Sequence, residues 1–332
     1  MMTEVIILGE LDGNELHSTA GELIAAGRKL ADELGTKVSA AIIGEASAEV
    51  ANEAIFLGAD EVYTVSHDLI VQGVSDTYVA ALEFICNQVN PSVVLTAKTP
   101  IGRSAGPRLA YRLGTGVAQD CINLEGDADT GKVTVTRPVY GGNAMAKFTF
   151  SNDATQVAVL RIKAFEPLPI DKERSGSITQ INFEMTENQV KSKLVETVKE
   201  ESEGVKLEEA EVIIGGGRGL GGPESFGQLE ELAKLFDSGA VGASRAVCDA
   251  GWLDHSYQIG LTGKTVTPNL YITFGISGAS QHMAGCSASK NIVAINKDGE
   301  ANIFKEASFG VVGDWEKVLP SFAATVQELL SS

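Results

Sequence analysis

Two blocks in which short β-branched runs alternate with helical stretches constrain this chain more than any other feature. In the first block VIILG is followed by a long helical segment closing at Leu34-Gly35, then KVSAAII, a second helical segment and EVYTV, all before residue 66. Strands spaced by stretches of 3.6-residue periodicity are βαβ units, because parallel neighbours need a crossover helix between them. A third helical stretch, at about Tyr78 to Val89, leads into SVVLTA and then TPIGRSAGPRLAYRLGTG. The period changes over residues 132–161, where VTVTRPVY, the turn GGN and AMAKFTF predict an antiparallel hairpin and TQVAVLRI a further strand. The first block therefore predicts a parallel sheet finished with antiparallel strands.

Residues 166–210, with EPLPIDKERSGS and KEESEGVKLEE, are rich in charge and turn formers and carry no long apolar periodicity. They read as a connection, with domains at 1–190 and 205–332; within it KLVETVK fits strand or helix equally. The second block runs EVIIGGG, a helix near Ser225 to Asp237, AVGASRAV, NLYITFG, NIVAIN, FGVVGD and a helix from about Trp315 to Leu330. Nearly every strand ends in Gly, Asn or Asp. In an open parallel sheet the ligand lies beyond the carboxyl ends of the strands, where small residues let it approach the backbone. The fold class is α/β: an amino-terminal parallel-sheet domain with added antiparallel strands and a carboxy-terminal Rossmann-like domain.

Charge and composition remove several function classes. Forty-four acids against 26 bases give a net charge of −18, which argues against nucleic acid, since phosphate binding needs a clustered basic surface. No apolar run of about 18 residues predicts a membrane span, and MMTEVIILGE enters a strand-like segment without a basic leader, so a cytoplasmic location is expected. Cys86, Cys121, Cys248 and Cys286 lack CxxC spacing, and His17, His67 and His255 lack HExxH spacing. The cysteines read as small apolar residues in a reducing cell, and no metal is assigned.

The loop GGGRGLGG, residues 215–222, satisfies Gly217-x-Gly219-x-x-Gly222, and Asp237 stands twenty positions on (237 − 217 = 20). That is the spacing of a dinucleotide fingerprint and raises an NAD(P)-dependent oxidoreductase as one reading. Against it, Asp237 falls at the end of a helix rather than a strand, Arg218 sits inside the loop, and Pro223 occupies the expected helix start. No GKS or GKT follows, so a Walker-type loop is excluded. Consecutive glycine amides with an arginine make a good anion site, and a flexible turn matches the letters equally well.

Farther along, GASRAVCDAGW (242–252), YQIGLTGKTVTPNLYITFGISGASQH (257–282), IVAINKD (292–298) and FGVVGDWEKVLP (309–320) together resemble the FAD-binding domain of the electron transfer flavoprotein alpha subunit. TPIGRSAGPRLAYRLGTGVAQDC extends the resemblance, more loosely, into the amino-terminal half. The resemblance implies an electron carrier with one FAD in its carboxy-terminal domain and no catalytic residue of its own. It implies a heterodimer with a beta subunit, docked by a cofactor-free amino-terminal domain. Electrons would arrive from a flavin dehydrogenase such as an acyl-CoA dehydrogenase and leave one at a time. A variant of the same reading is the alpha subunit of an electron-bifurcating complex that oxidises NADH, with a second flavin in the partner.

The resemblance also implies roles for particular residues. Arg218 and Ser244 would meet the pyrophosphate, although a serine there can simply cap a helix. Arg245 would lie beside the flavin ring or else form a surface ion pair, and Gln258 would contact the ring or ribityl chain. Thr262, between Gly260 and Gly263 in the same cofactor-binding segment, would face flavin N5. Leu261 departs from the glutamine common in the family. Ser277 and Gly278 would offer a hydroxyl and amides to the phosphates or ribityl chain. His282 would supply a cation or donor to the N1 and C2-carbonyl side, if it is not just a core histidine. Asn296 and Asp314 would reach the adenosine half, although an aspartate at a helix start can simply be its cap. Arg103, Arg108 and Asp120 read as structural ion pairs or interface contacts.

Overall fold

The structure is a computed structural model that describes residues 4–330 apart from 72, 143, 152–153 and 197–203. The chain divides into two compact units, residues 1–139 with 143–198 and residues 140–142 with 199–332.

The first unit begins with β1 (Glu4–Gly9), a two-residue ribbon of β2 (Leu11–Asp12) and β3 (Glu15–Leu16), and α1 (Thr19–Leu34). It continues through β4 (Lys37–Ile43), α2 (Ala48–Phe56), β5 (Glu61–Val65), α3 (Ser75–Val89), β6 (Val93–Ala97) and α4 (Gly102–Arg112). Then follow β7 (Val117–Cys121), β8 (Asn123–Asp127), β9 (Lys132–Val139), β10 (Ala144–Thr149), β11 (Gln156–Leu160) and β12 (Ser177–Gln180). Seven strands form one parallel sheet in the order β12-β5-β4-β1-β6-β11-β7. Every residue of β1 is buried, as a strand covered on both faces requires. Successive residues point to opposite faces, so Val5 and Ile7 pack under α1 and α2 while Ile6 and Leu8 pack under α3 and α4.

Two features of this unit differ from the sequence reading. The antiparallel strands do not finish the parallel sheet: β8, β9 and β10 form their own three-stranded sheet, and β11 returns to lie parallel between β6 and β7. The stretch read as connection contains β12, which pairs in parallel with β5, and then Phe183 and Met185, which are buried in the core. All four β12 residues are exposed, so this edge strand carries no apolar alternation to detect. Asp76 pins the following segment, accepting from Lys191 N, Ser192 N and Ser192 Oγ and pairing with Arg108. Lys193–Glu196, the start of KLVETVK, has no regular structure, and the rest of that run lies outside the described residues. Asp120 pairs with Lys98 at 2.9 Å and Arg161 at 2.8 Å; burial pushes its carboxyl up, but these two cations hold it down at about 2. Arg103 is exposed.

The second unit runs β13 (Val212–Gly216), α5 (Phe226–Ala233), β14 (Gly239–Ser244), α6 (Arg245–Cys248), β15 (Gln258–Ile259) and β16 (Leu270–Phe274). It ends with α7 (Ser280–Met283), β17 (Asn291–Asn296), β18 (Phe309–Val312) and α8 (Trp315–Leu330). Its six strands are all parallel in the order β15-β14-β13-β16-β17-β18. Ile214 faces a cluster with α5 and Trp315, and Ile213 faces the opposite cluster with Tyr271 and Met283. The strand order turns round at β13, so the carboxyl ends of β13, β14 and β16 frame the crevice such sheets use for ligands. Helix α5 stops four residues before Asp237, which lies in the turn entering β14, at the opposite end of the sheet from that crevice.

Cys86, Cys121, Cys248 and Cys286 are buried free thiols. Burial pushes the Cys86, Cys121 and Cys286 thiols up to about 12. Among the described residues no helix is long and apolar enough to cross a membrane.

Candidate functional site

The crevice begins where β13 and β16 leave the sheet side by side. Gly217 N donates to Phe274 O at 2.9 Å and Gly219 N to Gly275 O at 3.1 Å, so the two exits are stitched through their backbones. A Cβ on Gly219 would stand 2.8 Å from Gly275 O, and one on Gly275 would stand 2.8 Å from Gly219 C. Gly275 also has φ +65°, a left-handed conformation that suits glycine. Gly217, Gly219 and Gly275 are therefore explained by backbone meeting backbone, which leaves bare main chain at the two exits.

Beyond these exits opens a cavity of about 700 Å³. Nine of the residues singled out from the sequence line it: Arg218 after β13, Ser244 and Arg245 at the β14–α6 junction, Gln258, Gly260 and Thr262 around β15, Ser277 and His282 after β16, and Asn296 at the end of β17. Gly263, Gly278 and Asp314 are not among the lining residues. A Cβ on Gly263 would run into the Gln258 carbonyl, and one on Gly278, at φ +77°, into the backbone of Ile303, so both glycines permit tight turns behind the wall. Asp314 caps α8, its Oδ1 accepting from Glu316 N at 3.3 Å.

Several polar side chains of the wall have defined partners. Ser244 precedes α6 but makes no side-chain cap bond to it. Arg245 Nε donates to Asp249 Oδ2 at 3.1 Å, an exposed (i, i+4) pair of little energetic weight. Gln258, only 4% exposed, has Oε1 3.0 Å from His255 Nδ1 and donates from Nε2 to Thr262 Oγ1 at 3.0 Å. Asn296 Nδ2 donates to Ile276 O at 2.9 Å, tying the end of β17 to the loop after β16. Leu261, 71% exposed, sits on the cavity rim.

His282 is expected as a cation or a donor, and its own hydrogen bonds bear on both roles. Its Nδ1 is 3.1 Å from Ile259 O, a carbonyl that can only accept, so Nδ1 carries the hydrogen. Nε2 then accepts from the Tyr271 hydroxyl at 2.9 Å. Burial raises the phenol of Tyr271 well above its ordinary value, which keeps it a donor. The ring is 7% exposed, and burial pushes it down to about 4, although the bond to Ile259 O works the other way. At neutral pH His282 is thus an uncharged, doubly anchored part of the wall. The standing positive charges of the crevice are Arg218 and Arg245, set against Asp249 and Asp298.

Sequence reasoning missed Asp249, Asp298 and Tyr271. The (i, i+4) spacing from Arg245 would have pointed to Asp249, whereas nothing in NLYITFG marks Tyr271 as the partner of a histidine eleven residues on. Among the described residues no group of three or more His, Cys, Asp or Glu could hold a metal ion.

A parallel α/β unit whose switch-point crevice is walled by bare glycine backbone, two guanidinium groups and serine and threonine hydroxyls is a dinucleotide-binding domain. The cavity volume and the donor set both suit a phosphate-bearing cofactor of that length. Residues 5–185 match the family described as electron transfer flavoprotein domain, and residues 206–287 match the electron transfer flavoprotein FAD-binding domain. The chain is 40% identical over 326 residues to the electron transfer flavoprotein subunit alpha of Thermoanaerobacterium thermosaccharolyticum, covering 98% of each. To the corresponding subunit of Bacillus subtilis it is 41% identical over 329 residues, covering 99% of each. It is also 34% identical, over 98% of its own length and 96% of the relative's, to the acryloyl-CoA reductase electron transfer subunit beta of Anaerotignum propionicum. The chain belongs to the electron transfer flavoprotein alpha subunit family, and its cofactor is FAD.

Proposed function

We infer that this chain carries electrons as one half of a heterodimer, with FAD held by the second unit and a beta subunit docked on the first. FAD supplies the ring that takes up and releases electrons; the chain's own residues bind it, orient it and answer its change of charge. Arg218 and Ser244 hold the phosphates, Arg245 places a fixed cation at the crevice mouth, and Thr262 presents its hydroxyl to the ring. His282 contributes shape and a fixed dipole, because both its nitrogens are already bonded within the protein. The flavin dehydrogenase that donates electrons is of the acyl-CoA dehydrogenase kind, a reading supported by the acryloyl-CoA reductase relative. The buried, unpaired thiols fit a reducing, cytoplasmic setting.

The observation that carries this reading is the convergence of two arginines on the glycine-walled exits of β13 and β16. A nicotinamide dinucleotide reading is disfavoured, since the acid its fingerprint needs lies at the far end of the sheet. Co-expression with a beta-type subunit followed by an absorbance scan tests the proposal: a yellow heterodimer with one flavin is expected, and a colourless one overturns it. Two flavins per heterodimer would assign the chain to a bifurcating complex instead.

A further inference from the structure

Three side chains form a hydrogen-bonded line from the protein surface to the crevice wall. His255 lies in the short 3-10 turn of residues 255–257, with Nδ1 3.0 Å from Gln258 Oε1; Gln258 Nε2 lies 3.0 Å from Thr262 Oγ1. An amide has one end that only accepts and one that only donates, so the line has a direction. With Oε1 toward His255, Nδ1 must carry a hydrogen. The amide then donates to Thr262, fills a lone pair of its hydroxyl, and leaves the hydroxyl hydrogen directed into the cavity. Turned over, the amide would donate to Nδ1 and accept from Thr262, which withdraws that hydrogen from the cavity. Which arrangement holds is decided at His255, because the Gln258 side chain is buried and has no third partner among the described residues. Asp254 opens this turn, its Oδ1 accepting from Ser256 N at 2.8 Å, and α6, packed against the turn, brings Arg245, Cys248 and Asp249 nearby.

We propose that His255 is a positioning residue which, through the Gln258 amide, fixes the Thr262 hydroxyl as a hydrogen-bond donor into the crevice. The proposal rests on the reading of the crevice as the FAD site, but its test has an arm that does not need flavin. In the full chain without flavin, the side-chain amide resonances of Gln258 are compared by NMR between the native chain and its variants. They should move from their native position in His255→Phe and return to it in His255→Asn, whose amide can donate to Gln258 Oε1. Gln258 resonances that keep their native position in His255→Phe, or that His255→Asn does not restore, overturn the proposal.

In the FAD-loaded heterodimer, the midpoint potential of His255→Phe should move in the same direction as that of Thr262→Val, with His255→Asn restoring the native value. A shift in Thr262→Val with none in His255→Phe, or no shift in either, also overturns it. If no variant and no native heterodimer takes up flavin, the FAD reading fails by itself, while the amide comparison still decides whether His255 orients Gln258.

Discussion

The two units present the same architecture with opposite chemistry at the equivalent place. Each has a central strand, β1 or β13, at which the order of a parallel sheet turns round. At the exit of β13 the chain reads Gly-Gly-Gly-Arg, and bare backbone and a guanidinium open onto a cavity. The exit of β1 instead places Glu10, 5% exposed, as an acceptor from Thr99 Oγ1 at 2.5 Å, and Thr99 Oγ1 accepts from Gly102 N at 2.9 Å. A carboxylate and a threonine thus occupy the start of α4, where an anionic ligand would otherwise find unpaired amides. The fold offers a crevice in both halves, and a few side chains at strand exits decide which one can receive a phosphate.

Three substitutions test this contrast. Gly275→Ala inserts a Cβ between the β13 and β16 exits at a left-handed position, which should cost roughly 3 kcal/mol or more from backbone strain and contact. Denaturant melting should show the loss in the second unit, together with loss of bound flavin; a stable, fully yellow variant would mean that the backbone stitching is not what shapes the crevice.

Glu10→Gln removes the closed exit's charge while keeping an oxygen for Thr99. Burial raises Glu10 from 4.5 to about 7, outweighing the lowering bonds from Thr99 and Gly102. A carboxyl whose folded value lies above its unfolded one lends stability below the unfolded value, and this is lost as pH rises through the folded one. The variant should therefore be more stable than the native chain by up to about 3 kcal/mol near pH 8, the gain shrinking as pH falls from about 7 toward 4.5. Melting curves across that range check it, and a pH-independent difference would contradict a buried, titrating Glu10.

Tyr271→Phe sharpens the picture of the open crevice. It leaves His282 Nε2 buried without its donor, at an expected cost of about 1–2 kcal/mol. Ring-nitrogen NMR shifts of His282 should change while Nδ1 keeps its hydrogen; unchanged Nε2 shifts would mean that the two side chains are not bonded in solution.

Much of this organisation could be read from residues in order. EVYTV coincides with β5, the closing helix spans Trp315–Leu330, and the hairpin pairs β9 with β10. These elements carry strong local periodicity or a turn signal, and local patterns survive folding when burial follows them. The edge strand β12 escaped because its exposure left no apolar alternation, and the hairpin was attached to the wrong sheet because pairing partners are not encoded in period. Of the site, the glycines, arginines and hydroxyls that line the cavity were visible as strand exits. The hydrogen-bonded pairs of Tyr271 with His282 and of His255 with Gln258 were not, since a phenol or imidazole in a sequence shows no direction.

Residue order alone settles which segments become strands and helices, and that one β-strand exit carries glycine and arginine while the other carries glutamate. The charge states those exits use were set by assembly. His282 becomes neutral and Glu10 is pushed up to about 7 only because strands and helices distant along the chain exclude water around them, and the free energy of an ionised group depends on all of its surroundings at once.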